Sequence, residues 1–147
     1  MLTHLPVNHP LRPLYRILAA LAGGYILLFG IVGSARTWGT AAFAQDHLPW
    51  VLGLRTNLAF AWLSIVSGAV LVVCAVVGRN LDHLVNLLGG LLFMAVGMLM
   101  LGLLRTDLNF LGFSMTNCVV SFVLGTIVFA AGLYGRTGTD SGAHRQV

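Results

Sequence analysis

Four long apolar runs constrain this 147-residue sequence more than any other feature. They cover residues 14–33, 57–77, 84–104 and 116–134. A helix of about 20 residues crosses the roughly 30 Å hydrocarbon core of a bilayer, and it satisfies its own backbone hydrogen bonds there. The sequence therefore predicts an all-α membrane protein, an antiparallel four-helix transmembrane bundle built from two helical hairpins.

The charge content excludes a soluble domain. Only 8% of the residues are charged and 58% are hydrophobic, whereas the surface of a soluble domain requires about a quarter of its residues to be charged. The net charge of +4 comes from eight arginines against four aspartates, and the arginines lie singly at the ends of the apolar runs. This scattered pattern does not form a basic face, so we expect no nucleic-acid partner.

The arginines also predict the orientation of the bundle. Five of them fall on one side and three on the other. The larger group is Arg12, Arg16, Arg79, Arg136 and Arg145, and the smaller group is Arg36, Arg55 and Arg105. Because cytoplasmic loops carry an excess of arginine, we predict that both termini are cytoplasmic. Residues 1–13 form the N-terminal segment, and the polar residues 135–147 form a disordered tail.

The connections between the spans differ in length and character. The short turn at residues 78–83 predicts that the second and third spans are antiparallel neighbours. In the long connection at 34–56, residues 40–50 mix aromatic and polar side chains. They form either a short amphipathic helix in the membrane interface or an irregular loop with aromatic residues in the headgroup layer.

A weak repeat relates the two halves of the chain. Thr56 and Asn57 open the second span, and Thr116 and Asn117 open the fourth. Aligning Asn57 with Asn117 predicts two hairpins in parallel orientation. Each asparagine is interpreted as the N-cap of its helix, and the alternative is that the two amides coordinate a ligand between the hairpins.

Small residues follow each asparagine at helical spacing. They are Ser64 and Gly68 in the second span and Ser121 and Gly125 in the fourth, with Gly89 and Gly90 in the third. Small residues allow two membrane helices to approach closely. We expect these positions to pack helices, either within the chain or against a partner protein.

The spans contain no group that suggests catalysis. Every aspartate falls in a connection or the tail, and the polar side chain well inside the third span is Asn86. The histidines do not share a depth within the spans, as ligation of haem between two helices requires. Cys74 and Cys118 are expected at opposite membrane faces and therefore free. We predict no enzyme, no metal site and no cofactor.

The third span and the loop after it resemble a known family. The residues Val85-Asn86-Leu87-Leu88-Gly89-Gly90, followed by Leu108-Asn109-Phe110-Leu111-Gly112, are similar to a family of small bacterial four-span membrane proteins catalogued as a domain of unknown function. That family repeats Asn-x-x-His at the outer starts of spans two and four. Here Phe60 and Val120 stand at the histidine positions. The resemblance implies the same fold and a bacterial inner-membrane location, and no activity.

Two functions are compatible with these features. The first is a non-catalytic accessory or stabilising subunit that docks on other membrane proteins, or on itself, through a glycine-rich helix face. The alternative is a small carrier or binding protein for a lipid or apolar solute. Its cavity is predicted between the hairpins, near Asn57, Trp62, Asn86 and Asn117.

Overall fold

The four predicted spans are helices in the structure, a computed structural model that describes residues 8–138. The helices are α1 (Arg12–Arg36), α2 (Leu58–Val77), α3 (Leu81–Leu103) and α4 (Met115–Tyr134). Each is long and apolar enough to cross a membrane, with mean hydropathies of 2.1, 2.5, 2.3 and 1.9. The chain is thus an all-α, multi-pass membrane bundle, and the predicted fold class is confirmed.

Two helices extend beyond the apolar runs that predicted them. α1 begins at Arg12, two residues before its predicted span, and continues to Arg36. α3 begins at Leu81 and so includes Asp82 in its first turn. At about 1.5 Å per residue, the 25 residues of α1 reach roughly 38 Å. A helix of this length is expected to extend beyond the hydrocarbon core, with its polar ends in the headgroup layer.

The helices pair as two hairpins. α1 packs mainly on α2, and α3 packs mainly on α4, whereas α2 and α3 touch each other far less. The predicted neighbours α2 and α3 are joined by residues 78–80 alone, and Gly78 makes this turn with a φ of 69°. Between the hairpins lies a buried cluster of Ala22, Ile26, Leu71 and Val128.

The end of the bundle with both chain termini and the 78–80 turn is called the terminal end below, and the opposite end is the loop end. At the loop end the possible interfacial helix at 40–50 does not form. Residues Trp50–Val51 and Leu54–Arg55 instead make a short antiparallel two-stranded hairpin within an otherwise irregular connection. The irregular-loop alternative is therefore the correct one. His47, with a φ of 51°, and Pro49, which has no backbone N–H, both interrupt a helix within this segment.

The two hairpins repeat the same packing geometry. A Cβ atom placed on Gly68 of α2 would lie 2.8 Å from the carbonyl oxygen of Gly23 in α1. A Cβ atom placed on Gly125 of α4 would lie 2.9 Å from the carbonyl oxygen of Gly90 in α3. At both contacts the glycine allows two helix backbones to touch. α1 thus corresponds to α3, and α2 corresponds to α4.

This correspondence corrects the predicted alignment. Gly68 and Gly125 are equivalent positions in the two hairpins. Counting the same number of residues back from each glycine pairs Asn57 with Ser114. Asn57 and Ser114 are also the N-caps of α2 and α4. The alignment of Asn57 with Asn117 is therefore wrong by three residues, although the parallel order of the hairpins that it predicted is present.

The beginning of the predicted tail is held against the bundle. The backbone N–H and the hydroxyl of Thr137 both donate to Asn80 Oδ1 at 2.6 Å. Asn8 donates its backbone N–H to the carbonyl of Arg136 at 3.0 Å. Residues 1–7 and 139–147, which include most of the predicted tail, lie outside the described part of the chain.

Candidate functional site

Asn57, the first predicted binding residue, is fully buried and bonded to the backbone of its own chain. Its Oδ1 accepts the N–H of Phe60 at 2.9 Å and so caps α2. Its Nδ2 donates to the carbonyls of Ala44 at 3.1 Å and Phe110 at 2.8 Å. The two N–H groups of the side-chain amide thus donate to the α1–α2 connection and to the α3–α4 connection. The amide therefore has no donor left for a ligand.

Asn117 is not an N-cap, contrary to the prediction. α4 begins one residue after Ser114, which is its N-cap, so Asn117 already lies in the first turn. Its side chain bonds the backbone of Arg55 twice, accepting the N–H at 2.9 Å and donating to the carbonyl at 2.6 Å. The amide thereby fixes the short β-hairpin of the α1–α2 connection onto α4.

The other two predicted binding residues lie elsewhere. Trp62 is half exposed on the lipid-facing surface of α2. Asn86 is 2% exposed, near the terminal end of α3, and no donor among the described residues reaches its Oδ1. The structure therefore does not bring the four predicted residues into one site.

The predicted packing residues divide into two groups. A Cβ atom on Gly68, Gly90 or Gly125 would overlap the backbone of the neighbouring helix in the same hairpin. Gly89 is different, since its nearest contact would be an ordinary 3.7 Å to the side chain of Leu71. The tightest glycine surfaces are thus already occupied by helices of this chain.

Ser64 and Ser121 are buried beside these glycines. Ser121 donates its hydroxyl across the hairpin to the carbonyl of Phe93 at 2.9 Å. Ser64 donates to the carbonyl of Phe60 within its own helix at 2.8 Å. Both side chains face the space between the hairpins.

That space opens as a cleft between α2 and α3, toward the loop end. Its volume is about 200 Å³. The lining consists of aromatic, aliphatic and serine side chains, namely Phe60, Phe93 and Phe113, Leu63, Leu92, Val96 and Leu111, and Ser64, Ser67 and Ser121. The cleft exists because α2 and α3 diverge from their short turn while each packs on its own hairpin partner.

The cleft presents little hydrogen-bonding capacity. Each of its three serine hydroxyls donates to a helix carbonyl, at 2.8 to 2.9 Å. A hydroxyl that has used its proton still has acceptor lone pairs. The cleft therefore favours a ligand that is apolar and carries at most an isolated hydrogen-bond donor.

A smaller cavity continues the cleft into the bundle. It holds about 20 Å³, enough for one water molecule, and shares Phe60, Ser64, Phe93 and Ser121 with the cleft. The rest of its wall consists of Tyr25, Ile26, Phe29, Leu54, Asn117, Val120 and Leu124. Asn117 is therefore the predicted binding residue that lies closest to an internal space.

A polar cluster at the terminal end was missed by the sequence interpretation, which placed Asp82 in a connection. Asp82 is buried in α3, and its Oδ2 lies 3.5 Å from Nη2 of Arg12. Arg12 Nε also donates to the carbonyl of Gly135 at 2.9 Å. The pair therefore joins α1 to α3 and to the end of α4.

A second bond in this cluster involves His83. Its Nδ1 lies 2.5 Å from the carbonyl of Gly132, near the C-terminus of α4. The corresponding place in the first hairpin is taken by Arg16, which donates to the carbonyls of Ala75 and Val76 at the end of α2. A basic side chain next to terminal carbonyls stabilises a helix end.

Within residues 8–138 no three histidine, cysteine or acidic side chains come together as metal ligands. Cys74 and Cys118 are both buried and free. No family model, no curated protein and no solved structure matches this chain. The resemblance to the four-span family thus stays a prediction.

Proposed function

We propose that this protein is a non-catalytic binding protein for the hydrocarbon chain of a membrane lipid, or for an apolar solute of similar width. The observation that carries the proposal is the cleft of about 200 Å³ between α2 and α3. We further propose that it acts in a bacterial inner membrane with both termini in the cytoplasm, as the arginine distribution predicts.

The size of the cleft limits the ligand. An apolar cavity of about 150 Å³ stays dry and binds benzene, so this cleft accommodates a single ring or a few carbons of one chain. Three phenylalanines give it rigid walls, and Phe60 contacts Phe113 with ring centroids 4.7 Å apart. The cleft opens sideways to the bilayer. A lipid can therefore insert its hydrocarbon chain while its headgroup stays in the headgroup layer.

Photocrosslinking tests this proposal. The protein is reconstituted in phosphatidylcholine vesicles containing phosphatidylcholine with a diazirine on one acyl chain, and the adducts are mapped by mass spectrometry. We expect adducts concentrated on cleft residues such as Leu63 and Ser67. Leu21 and Leu28, exposed on α1 by 65% and 52%, should react less.

Two matched variants sharpen the result. Val96→Phe places a ring in the cleft and should reduce the cleft adducts several-fold. Leu99→Phe adds the same ring one turn along α3, at a residue 58% exposed outside the cleft, and should leave them unchanged. An even distribution of adducts over all four helices, insensitive to Val96→Phe, would contradict the proposal.

A second candidate is the accessory subunit predicted from the sequence. One observation favours it: only 22% of the α3 span is buried within the chain, against 39% for the corresponding α1. A Cβ atom on Gly102 of α3 would have no neighbour within 4 Å, so this glycine is open to a partner helix. Purification in mild detergent tests this role, and consistent recovery as a lone monomer would count against it.

A further inference from the structure

A second groove lies at the terminal end, on the lipid-facing side of the first hairpin. It has a volume of about 330 Å³ and is walled by the first three turns of α1 and the last turn of α2. Small side chains leave it open, since Ala20 stands on one wall and Ala75 on the other. Its surface is almost entirely apolar, which suits a hydrocarbon chain.

Two arginines border this groove, Arg12 and Arg16. Arg16 donates from Nε and Nη2 to the carbonyls that end α2, and among the described residues no acceptor takes Nη1. A guanidinium has five N–H groups, and the described part of the chain supplies acceptors for two of those of Arg16. The aliphatic stem of Arg16 covers the groove wall while its charged head lies at the membrane boundary.

The surrounding charge favours an anion. The first turn of α1 contains no acidic residue and no side-chain cap, so the positive end of its helix dipole adds to the charge of the two arginines. Arg79 lies three residues beyond Val76 of the groove and is exposed. Within residues 8–138, the aspartate at this end is Asp82, which is buried and paired with Arg12.

From this combination we propose that the groove is a binding site for one anionic phospholipid of the leaflet at the terminal end. A hydrocarbon chain lies in the groove between α1 and α2, and the phosphate of the headgroup bonds the free N–H groups of Arg16. Basic pockets between membrane helices are the usual means of recognising such headgroups. The site is separate from the α2–α3 cleft, so it does not depend on the function proposed above.

Native mass spectrometry of the full chain in detergent tests the proposal. The protein is titrated with dioleoyl phosphatidylglycerol and dioleoyl phosphatidylcholine, which have the same chains and differ in headgroup charge. We expect the first phosphatidylglycerol to bind at least about tenfold more tightly than phosphatidylcholine. Arg16→Gln should reduce this preference about fivefold, which corresponds to about 1 kcal/mol for one arginine near the surface.

Two variants separate lipid binding from folding. Arg16→Lys keeps the charge, so it should retain most of the preference even where the bonds to α2 are weakened. Ala20→Phe fills the groove while both arginines stay, and it should weaken binding of phosphatidylglycerol without changing the helix ends. If Arg16→Gln fails to fold, the loss of binding in Ala20→Phe alone still decides the question.

Arg105→Gln is the matched control, because Arg105 is exposed at the loop end, away from the groove. It should leave the lipid preference unchanged. Equal affinity of the wild-type protein for the two lipids overturns the proposal. So does an equal loss of preference in Arg16→Gln and Arg105→Gln, since that result means a diffuse attraction to the whole molecule.

Discussion

Replacing Asn57 by alanine tests how the loop end is held together. The change removes one N-cap bond to α2 and two bonds to the carbonyls of the connections. Loss of an N-cap costs about 1 kcal/mol, and each buried hydrogen bond contributes about 1 kcal/mol. The expected loss in the free energy of unfolding is therefore about 3 kcal/mol.

The internal repeat supplies a matched control. Ser114 is the N-cap that corresponds to Asn57, but its hydroxyl makes only local bonds, to the N–H and the Oδ1 of Asn117. Ser114→Ala should therefore cost about 1 kcal/mol, the value of a cap. The difference between the two variants, about 2 kcal/mol, measures the bonds from Asn57 to the two connections.

Thermal unfolding in detergent micelles, followed by tryptophan fluorescence, provides the measurement. At about 3 °C per kcal/mol for a chain of this size, Asn57→Ala should lower Tm by about 9 °C and Ser114→Ala by about 3 °C. Trypsin should also cleave after Arg55 and Arg105 faster in Asn57→Ala, because both connections are released. Equal Tm losses in the two variants would refute the reasoning.

Three further predictions concern the helix contacts and the terminal end. Gly125→Ala should lower the free energy of unfolding by about 2 kcal/mol, because the new Cβ atom overlaps the α3 backbone. Gly24→Ala adds a Cβ atom in open space, so it should leave the free energy of unfolding unchanged or raise it slightly, and thermal unfolding compares the two variants. Arg12→Gln should lower Tm more than Asp82→Asn, because Arg12→Gln leaves the buried carboxylate of Asp82 without its cation. A double-mutant cycle of the two residues should show a coupling free energy of about 1 kcal/mol. Ser121→Ala should cost only about 0.6 kcal/mol, the mean for a hydrogen bond between membrane helices, and a loss above 2 kcal/mol would contradict this.

The arrangement at the loop end shows where sequence interpretation fails. Thr56-Asn57 and Thr116-Asn117 are the same dipeptide, yet only Asn57 caps a helix. The choice depends on where the backbone enters the helix, and Ser114 takes the cap of α4 three residues earlier. Aligning Ser64 and Gly68 with Ser121 and Gly125, instead of Asn57 with Asn117, would have given the correct register, because contact between helices fixes these positions.

The terminal end was beyond sequence interpretation for a different reason. Arg12 and Asp82 are far apart in the chain, and each had an ordinary explanation as a flanking charge. Nothing in the local pattern pairs a residue before the first span with one before the third. Their contact follows from the position of α1 against α3 and α4, which is a property of the assembled bundle.

The sequence by itself determined that the chain consists of four membrane-crossing helices, because transfer into lipid depends on about 20 local residues and needs no knowledge of neighbours. It also indicated that Gly68, Gly90 and Gly125 pack against neighbouring helices, but it did not distinguish them from Gly89. The tertiary structure alone decided which helices pair tightly and which diverge, and so where the cleft and the groove open. The pairing of helices depends on how side chains from distant parts of the chain fit together. The apolar pattern is similar on every face of these helices, so it does not encode this fit.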